Sequence, residues 1–243
     1  MKSAKCRLDL LLVERGLVES REMARRLILA GSVFVNRQKA GKPGDLVAED
    51  SELQLTERPP YVSRGGIKLA AALAHFGVDV QGKTCLDVGA STGGFTDCLL
   101  QHGANRVFAV DVGHGQLDWK LRNDPRVTLL EGVNARYLQA SDLPGRVDLV
   151  TCDVSFISVT LILPVLPAVM TEDARMIILV KPQFEVGRGE VGRGGIVRDP
   201  ALHRAACDKV AAAVGELGLR ASIIDSPIPV SEGNREFLLY AAH

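Results

Sequence analysis

The stretch LDVGASTGGFTDCLL, residues 86–100, joins a short apolar strand pattern to a cluster of small residues and then to a helical pattern. The strand pattern ends around Asp87 and Gly89, and the residues from Ala90 to Gly94 are all small. Small residues at such a turn let a ligand lie directly against the backbone. The stretch therefore predicts a strand–loop–helix unit whose loop binds a cofactor.

The residues around this unit alternate between helix and strand patterns. A helix is predicted from about Ser63 to Phe76, and a second one over residues 200–218. Strand patterns occur at residues 84–89, 106–113, 127–132, 147–154, 176–182, 220–228 and 236–243. This alternation predicts an α/β fold with a doubly wound, mainly parallel sheet. Ligands of such sheets bind beyond the carboxyl ends of the strands, near the switch in strand order.

A different pattern precedes this region. Two helices are predicted, the first ending at Gly16 and the second running from an N-cap at Ser20 to Gly31. Strand patterns follow at residues 32–36 and 51–56. After them comes the stiff sequence Arg58-Pro59-Pro60, which suits a linker. The sequence thus predicts a small α+β domain at 1–58, a linker at 59–62 and an α/β domain at 63–243.

The predicted second strand of the sheet ends in an acid, Asp111, about twenty residues after the glycine-rich loop. A carboxylate at this position typically binds ribose hydroxyls. The loop has neither a G-x-G-x-x-G spacing nor a G-K-[ST] motif, which makes a dinucleotide or a nucleoside triphosphate less favoured. S-adenosylmethionine fits the pattern better, although an ordinary tight turn is the alternative.

Four more polar residues lie at element ends along the same edge of the predicted sheet. Lys68 is on the helix before the first strand, Asp153 and Lys181 end two strands, and Glu236 begins the last strand. A lysine that ends a strand as apolar as MIILV is costly to bury unless it is paired, and burial favours its neutral form, which accepts a proton. Transfer of a methyl group to a hydroxyl needs an aligned oxygen and a group that removes its proton. Each residue alone is also typical of a surface or capping position.

The motifs YVSRGGIKL, LDVGASTGGFTDCLL, CDVSFIS, LVKPQFE and GNREFLL resemble the TlyA family of ribosomal RNA 2'-O-methyltransferases, also called haemolysin-like. The first part of the chain is similar to S-four-type RNA-binding domains, and the second part to FtsJ-like methyltransferases with a seven-stranded Rossmann-like sheet. The resemblance implies methylation of a cytidine 2'-hydroxyl in ribosomal RNA. It also implies the large subunit rather than both subunits as substrate, because this chain has short tails.

The resemblance places a catalytic tetrad on Lys68, Asp153, Lys181 and Glu236, and which member accepts the proton stays open because coupled groups share their titration. The loop pattern and the resemblance together give a set of cofactor-binding residues: Asp87, Gly89, Ala90, Ser91, Thr92, Gly93, Gly94, Phe95, Asp111, Val112, Asn134 and Asp153.

Basic residues in the first domain and in two later segments form the predicted RNA-binding set. Clustered arginines and lysines contact phosphates and the shape of folded RNA, although a solvated helix face is the usual role of such charges. The set comprises Lys5, Arg7, Arg21, Arg25, Arg26, Lys39, Arg64, Arg188 and Arg193.

Composition limits the remaining possibilities. The formal net charge is zero, so any RNA surface is a local patch. Five scattered cysteines without a C-x-x-C pair favour a reducing cytoplasm and predict neither disulfides nor a metal site. The longest apolar run, residues 159–170, contains two prolines and predicts a buried helix, so no membrane association is expected. The oligomeric state is not predicted.

Two alternatives to an enzyme remain at this stage. One is a non-catalytic RNA-binding or ribosome-assembly protein on a methyltransferase scaffold. The other is a membrane-lytic protein, which is suggested only by the haemolysin label.

Overall fold

The computed structural model describes residues 4–29, 31–55, 60–228 and 233–243, and the chain divides into two compact units between Pro60 and Tyr61. The elements of the first unit are β1 (Lys5–Arg7), α1 (Leu8–Glu14), α2 (Arg21–Leu29), β2 (Val33–Val35), β3 (Gln38–Lys39), β4 (Leu46–Ala48) and β5 (Leu53–Leu55). Strand β2 pairs antiparallel with β3 and β5, and β1 pairs antiparallel with β4.

The two predicted helices of the first unit are present. Leu8, Leu12 and Ile28 are completely or almost completely buried in its small core. Gly16 and Gly31 follow the helices with φ of +65° and +74°, the left-handed conformation in which glycine commonly ends a helix.

The second unit contains α3 (Gly65–Phe76), β6 (Thr84–Val88), α4 (Gly94–Gln101), β7 (Arg106–Asp111), α5 (Trp119–Arg122), β8 (Val127–Glu131), β9 (Val147–Cys152), β10 (Met170–Val180), α6 (Pro182–Glu185), α7 (Pro200–Gly215), β11 (Arg220–Asp225) and β12 (Phe237–Ala242). The strands form one seven-stranded sheet in the order β11-β12-β10-β9-β6-β7-β8. Strand β12 is antiparallel to both neighbours, and the other pairs are parallel. This confirms the predicted α/β class.

Alternate residues of the central strands enter two separate hydrophobic clusters. In β10, Met176 and Ile178 belong to one cluster, and Ile177 and Leu179 belong to the other. Because side chains alternate across a strand, the sheet is buried on both faces, which explains why its strands are continuous apolar runs.

The prediction of a buried helix over residues 159–170 was wrong. The structure has 3₁₀ turns at Val159–Leu161 and Leu163–Val169, and strand β10 begins at Met170. Pro164 and Pro167 lack the backbone donors that a continuous α-helix requires there. The segment is still buried through Leu163 and Leu166. Among the described residues, no helix is both long and apolar enough to cross a bilayer.

The strand order changes direction beside β6. The chain runs outward from β6 through β7 to β8, and then returns to the other side of β6 as β9. The carboxyl ends of β6 and β9 are therefore neighbours, and the backbone N–H of Asp153 donates to the carbonyl of Val88 at 2.9 Å. This switch point is where a ligand is expected.

Candidate active site

The loop after β6 needs glycine at its first position. Gly89 has a φ of +82°, and a Cβ atom there would lie 2.4 Å from the carbonyl oxygen of Asp153. The backbone N–H groups of Gly89 and Ala90 both donate to the carbonyl of Val110, at 2.8 and 3.2 Å. The loop is thus held between the ends of β7 and β9, with no room for a side chain at Gly89.

The second half of the loop turns into α4. Gly93 is buried with a φ of +93°, and a Cβ atom there would lie 2.3 Å from Cδ1 of Leu121. A Cβ atom on Gly94 would meet Oγ of Ser63 at 2.1 Å. Ser91 and Thr92, in contrast, are exposed.

Asp111, at the end of β7, shapes the loop with its carboxylate. Its Oδ2 accepts from the backbone N–H of Ser91 at 2.7 Å, and its Oδ1 accepts from Gly113 at 2.7 Å. An ionised carboxylate offers about four acceptor sites, so both oxygens can accept further hydrogen bonds from a ligand.

Two adjoining cavities open at this edge of the sheet. The larger, about 460 Å³, is lined by Asp111, Val112 and Asn134 among others. The smaller, about 320 Å³, is lined by Lys68 and Lys181 and by the loop. The residues that line both cavities are Gly89, Ser91, Asp153 and Ser155. The cavities therefore form one cleft of a size suited to a small cofactor beside a reacting group.

The four predicted catalytic residues form two ion pairs at the smaller cavity. Lys181 Nζ lies 2.6 Å from Asp153 Oδ1 and donates to Ser155 Oγ at 2.8 Å. Lys68 Nζ pairs with Glu236 Oε2 and connects α3 to the start of β12. The side chains of all four are mostly buried, and the two pairs together carry no net charge. Lys68, Asp153 and Lys181 therefore line one cavity, and Glu236 lies behind it as the partner of Lys68.

Asp87 is one of two predicted cofactor-binding residues that line neither cavity; the other is Gly93. The carboxyl group of Asp87 is completely buried, and it accepts hydrogen bonds from the hydroxyls of Thr96 at 2.7 Å and Thr151 at 3.1 Å. Burial raises the pKa of this group to about 6, although the two hydroxyls act against the shift. It does not line either cavity. Asp87 therefore connects β6, α4 and β9 beneath the loop instead of facing the cleft.

Two residues of the cleft had no role in the sequence prediction, although both lie in the motif CDVSFIS. Ser155 accepts the hydrogen bond from Lys181. Phe156 is 92 % exposed, has a φ of +65°, and its ring centroid lies 5.4 Å from that of Phe184. A large apolar residue in a strained backbone conformation at the mouth of a cleft is typical of a binding role.

All the predicted RNA-binding residues whose side chains the structure describes are exposed, but their partners differ. Lys5, Arg25, Arg26, Lys39 and Arg193 are exposed. Arg7 and Arg21 both bond to the buried carboxylate of Asp9, each at 2.9 Å. Arg64 lines the smaller cavity, and the side chain of Arg188 is outside the part of the chain that the structure describes.

The five cysteines are free thiols, and four of them are buried. Cys152 adjoins Asp153 but is completely buried, and burial raises the pKa of its thiol. Such a thiol is a poor nucleophile. Within the described ranges, no group of three His, Cys, Asp or Glu residues is arranged to hold a metal ion.

Comparison with known families agrees with this geometry. The profile of the FtsJ-like methyltransferases matches residues 61–243, and that of the S4 domain matches residues 6–53. The chain belongs to the TlyA family of FtsJ-like methyltransferases. The boundary between the two structural units lies in the gap between the two matched regions.

Two relatives and one solved structure show how much of the chain is similar to these proteins. The 16S/23S rRNA (cytidine-2'-O)-methyltransferase TlyA of Mycobacterium tuberculosis is 48 % identical over 97 % of this chain and 89 % of its own length. Hemolysin A of Brachyspira hyodysenteriae is 41 % identical over 96 % of this chain and 98 % of its own. A structure from Streptococcus thermophilus that carries a hemolysin label has a TM-score of 0.76 and 44 % identity, covering 98 % of this chain and 88 % of its own. The likeness therefore includes both domains.

Proposed function

We propose that this protein transfers the methyl group of S-adenosylmethionine to the 2'-hydroxyl of a cytidine in ribosomal RNA. One observation carries the proposal: the Lys181–Asp153 pair and Lys68, which is paired with Glu236, line a cavity that is continuous with the cleft around the glycine loop and Asp111. The activity for which the M. tuberculosis relative is named supports the same reaction. We further propose the large subunit as the preferred substrate, and the cytoplasm, where ribosomes are made, as the place of action.

The cleft has the properties that this cofactor requires. Gly89 lines both cavities, and its lack of a side chain lets the loop pack directly against Asp153. We assign Asp111 to the ribose hydroxyls, and Val112 and Asn134 at the larger cavity to the adenine. When bound, S-adenosylmethionine supplies an electrophilic methyl group. The loop from Gly89 to Phe95 would hold the rest of the cofactor.

The ion pairs provide the proton chemistry. In its neutral form Lys181 Nζ would accept the proton of the attacking 2'-hydroxyl, and Asp153 Oδ1, at 2.6 Å, would stabilise the resulting ammonium. Ser155 Oγ, 2.8 Å from Lys181 Nζ, orients the amine. The Lys68–Glu236 pair is mostly buried, so it adds a fixed dipole where water cannot screen it well.

The first unit would supply RNA binding. It matches the S4 domain, and it presents Lys5, Arg25, Arg26 and Lys39 on its surface. We infer that these charges contact phosphates, while Arg64 and the glycine-rich segment that contains Arg193 contact RNA near the cleft.

The test is transfer of labelled methyl from S-adenosylmethionine to separated small and large ribosomal subunits that lack native modification. Lys181→Ala should lower the rate by about 10²–10⁴-fold, because a general base contributes that much. Lys83→Ala is the matched control, since Lys83 is an exposed lysine at the opposite edge of the sheet. It should have the wild-type rate.

Label on the large subunit alone would support the full proposal, and label on both would correct only the subunit preference. Wild-type protein that binds the cofactor but labels neither subunit would support the non-catalytic scaffold instead. Leakage of lipid vesicles at low protein concentration would support the membrane-lytic alternative.

A further inference from the structure

A buried carboxylate lies behind the Lys181–Asp153 pair. Glu185 is the last residue of α6, four residues after Lys181, and only 6 % of it is exposed. Its Oε1 accepts from the backbone N–H of Val159 at 2.8 Å, and its Oε2 accepts from Ser158 Oγ at 2.5 Å. Both contacts lie at the end of the segment that begins at Asp153. Glu185 lines neither cavity of the active site.

The charge of Glu185 is balanced from a third element. Lys209 of α7 places its Nζ 3.2 Å from Oε2 of Glu185. The same ammonium donates to the backbone carbonyl of Glu185 at 2.7 Å and to Ser158 Oγ at 3.3 Å. A buried carboxylate without such a partner would be strongly unfavourable. Lys209 therefore allows an ionised Glu185 to remain in this position.

The contacts of Glu185 connect the two chain segments that carry Asp153 and Lys181. The segment from Asp153 to Ser158 is held at its start by the hydrogen bond from Asp153 to Val88. The segment from Lys181 to Glu185 is held at its start by strand β10 and by the hydrogen bond from Phe184 to the carbonyl of Lys181. Glu185 joins the far ends of the two segments. Asp153 is the first residue of one segment and Lys181 is the first residue of the other. Glu185 therefore connects the two segments that begin with the members of the ion pair.

The segment from Asp153 to Ser158 also contains a residue, Phe156, whose backbone conformation must be held by its surroundings. Phe156 has a φ of +65° and is 92 % exposed, so packing of its own side chain contributes little to its conformation. A non-glycine residue in this region persists only where its surroundings impose it. Glu185 accepts from the side-chain hydroxyl of Ser158 and from the backbone N–H of Val159, and the ring of Phe184 contacts that of Phe156.

We propose that Glu185, with Lys209 as its counter-ion, is a positioning residue for methyl transfer. It holds the Asp153–Ser158 segment against the Lys181–Glu185 segment, and so fixes Asp153 and Ser155 relative to Lys181 Nζ. This inference rests on the proposed function, because its consequence is measured on the transfer step.

The experiment uses the full-length protein with Glu185→Gln, Lys209→Met, the double variant, and Glu216→Gln as the control. Glu216 is an exposed acid at the end of α7. Three quantities are measured for each: kcat for methyl transfer to the ribosomal subunit that the wild type labels, the Kd for S-adenosylmethionine, and the fraction folded at the assay temperature. The Kd matters because a merely structural defect would weaken cofactor binding and transfer together.

Glu185→Gln should lower kcat by about 10–100-fold, because a small misplacement of reacting groups has an effect of that size. The cofactor Kd and the folded fraction should stay at the wild-type values. In this variant the new side-chain amide NH₂ faces the Lys209 ammonium, so two donors oppose each other. Lys209→Met leaves the carboxylate without its counter-ion and should also lower kcat. The double variant removes both defects, since the amide can then donate to Ser158, and it should recover most of the lost rate.

Equal kcat in Glu185→Gln and the wild type would overturn the inference while leaving the proposed function intact. So would parallel losses in kcat, cofactor binding and folded fraction, which would make Glu185 a structural residue of the whole domain. Wild-type protein that labels no subunit would overturn the proposed function, and this inference with it.

Discussion

At the scale of single residues, the cleft depends on backbone atoms that lie unusually close together. Gly89 has a positive φ, and a Cβ atom there would meet the carbonyl oxygen of Asp153, which belongs to the backbone and cannot rotate away. Gly218 has a similar φ of +80° but nothing within 4 Å of the position of a Cβ atom. Alanine substitutions at Gly89 and Gly218 therefore separate two costs. Both include the cost of a left-handed alanine, and only the one at Gly89 adds the cost of the contact with Asp153.

We expect Gly218→Ala to lower the free energy of unfolding by about 1 kcal/mol, the usual cost of a left-handed alanine. Gly89→Ala should cost a further 1–3 kcal/mol or so, the typical cost of overpacking. It should also weaken binding of S-adenosylmethionine, because the loop must move away from Asp153. Denaturant unfolding and calorimetric titration would measure both effects. Equal unfolding free energies for the two variants would contradict the close contact.

The buried Asp87 gives a prediction about pH. Burial raises its folded-state pKa to about 6, above the ordinary value of 3.8. The folded state therefore binds more protons than the unfolded chain between these two values, and this group's contribution to stability falls as the pH rises from about 4 to above 6. The loss is on the order of 3 kcal/mol, from the roughly two-unit shift.

Unfolding of the wild type and of Asp87→Asn at a series of pH values isolates this contribution, since the other groups titrate in both proteins. The stability of the wild type relative to the variant should decrease across that interval. A difference that does not change with pH would show that Asp87 titrates normally.

At the scale of elements, the sequence patterns predicted most helices and the apolar centres of the strands, but not every strand pairing or boundary. The helices α1, α2, α3 and α7 and the apolar cores of the strands were predicted because periodicity and end signals are local. The pairing of β1 with β4 was not, because three-residue strands carry no pattern of their own. Nor was the start of β10 at Met170, whose following residues are polar and exposed in part.

The candidate active site shows the same division. Lys181, Asp153 and Asp111 could be proposed from the sequence because each ends a strand, and strand ends meet at one edge of a parallel sheet. The roles of Glu185 and Ser155, and the burial of Asp87, depend on contacts between residues that are distant in the sequence. Nothing in the local pattern of these residues indicates those contacts.

The pair of helices in the first unit depends on one buried acid. Asp9 on α1 is completely buried and receives Arg7 and Arg21, and the hydrogen bonds from Arg7 contribute most to lowering its pKa to about 2. Because the folded-state pKa is lowered, the stabilisation is present above about pH 4 and is lost as the pH falls towards 2.

We expect Asp9→Asn to destabilise the first unit by about 2–3 kcal/mol at neutral pH, the value of hydrogen bonds to a charged group. The deficit should shrink as the pH falls from about 4 to about 2, because the wild type loses the same interaction. Thermal unfolding followed in both proteins over this range measures it. A deficit that persists at the lowest pH would mean that it does not arise from the charge of Asp9.

At the scale of the whole molecule, charge is organised locally. A chain with a formal net charge of zero does not attract RNA as a whole, so binding must come from patches. Arg7 and Arg21 are partly neutralised by Asp9, whereas Arg25 and Arg26 extend from the exposed side of α2. The second pair should therefore contribute more to RNA binding than the first.

This expectation can be measured as the salt dependence of binding to the ribosomal subunit that is methylated. The slope of log K against log salt is negative, and each lost phosphate contact reduces its magnitude by about one. Arg25→Gln combined with Arg26→Gln should therefore reduce the magnitude by about two. Arg220→Gln should leave the slope unchanged, because Arg220 is exposed at the start of β11, at the edge of the sheet opposite the cleft. An unchanged slope in the α2 double variant would place the RNA contacts on other exposed charges, such as Lys5, Lys39 and Arg64. A slope that fell equally in the Arg220 variant would mean that binding follows total charge and not a patch.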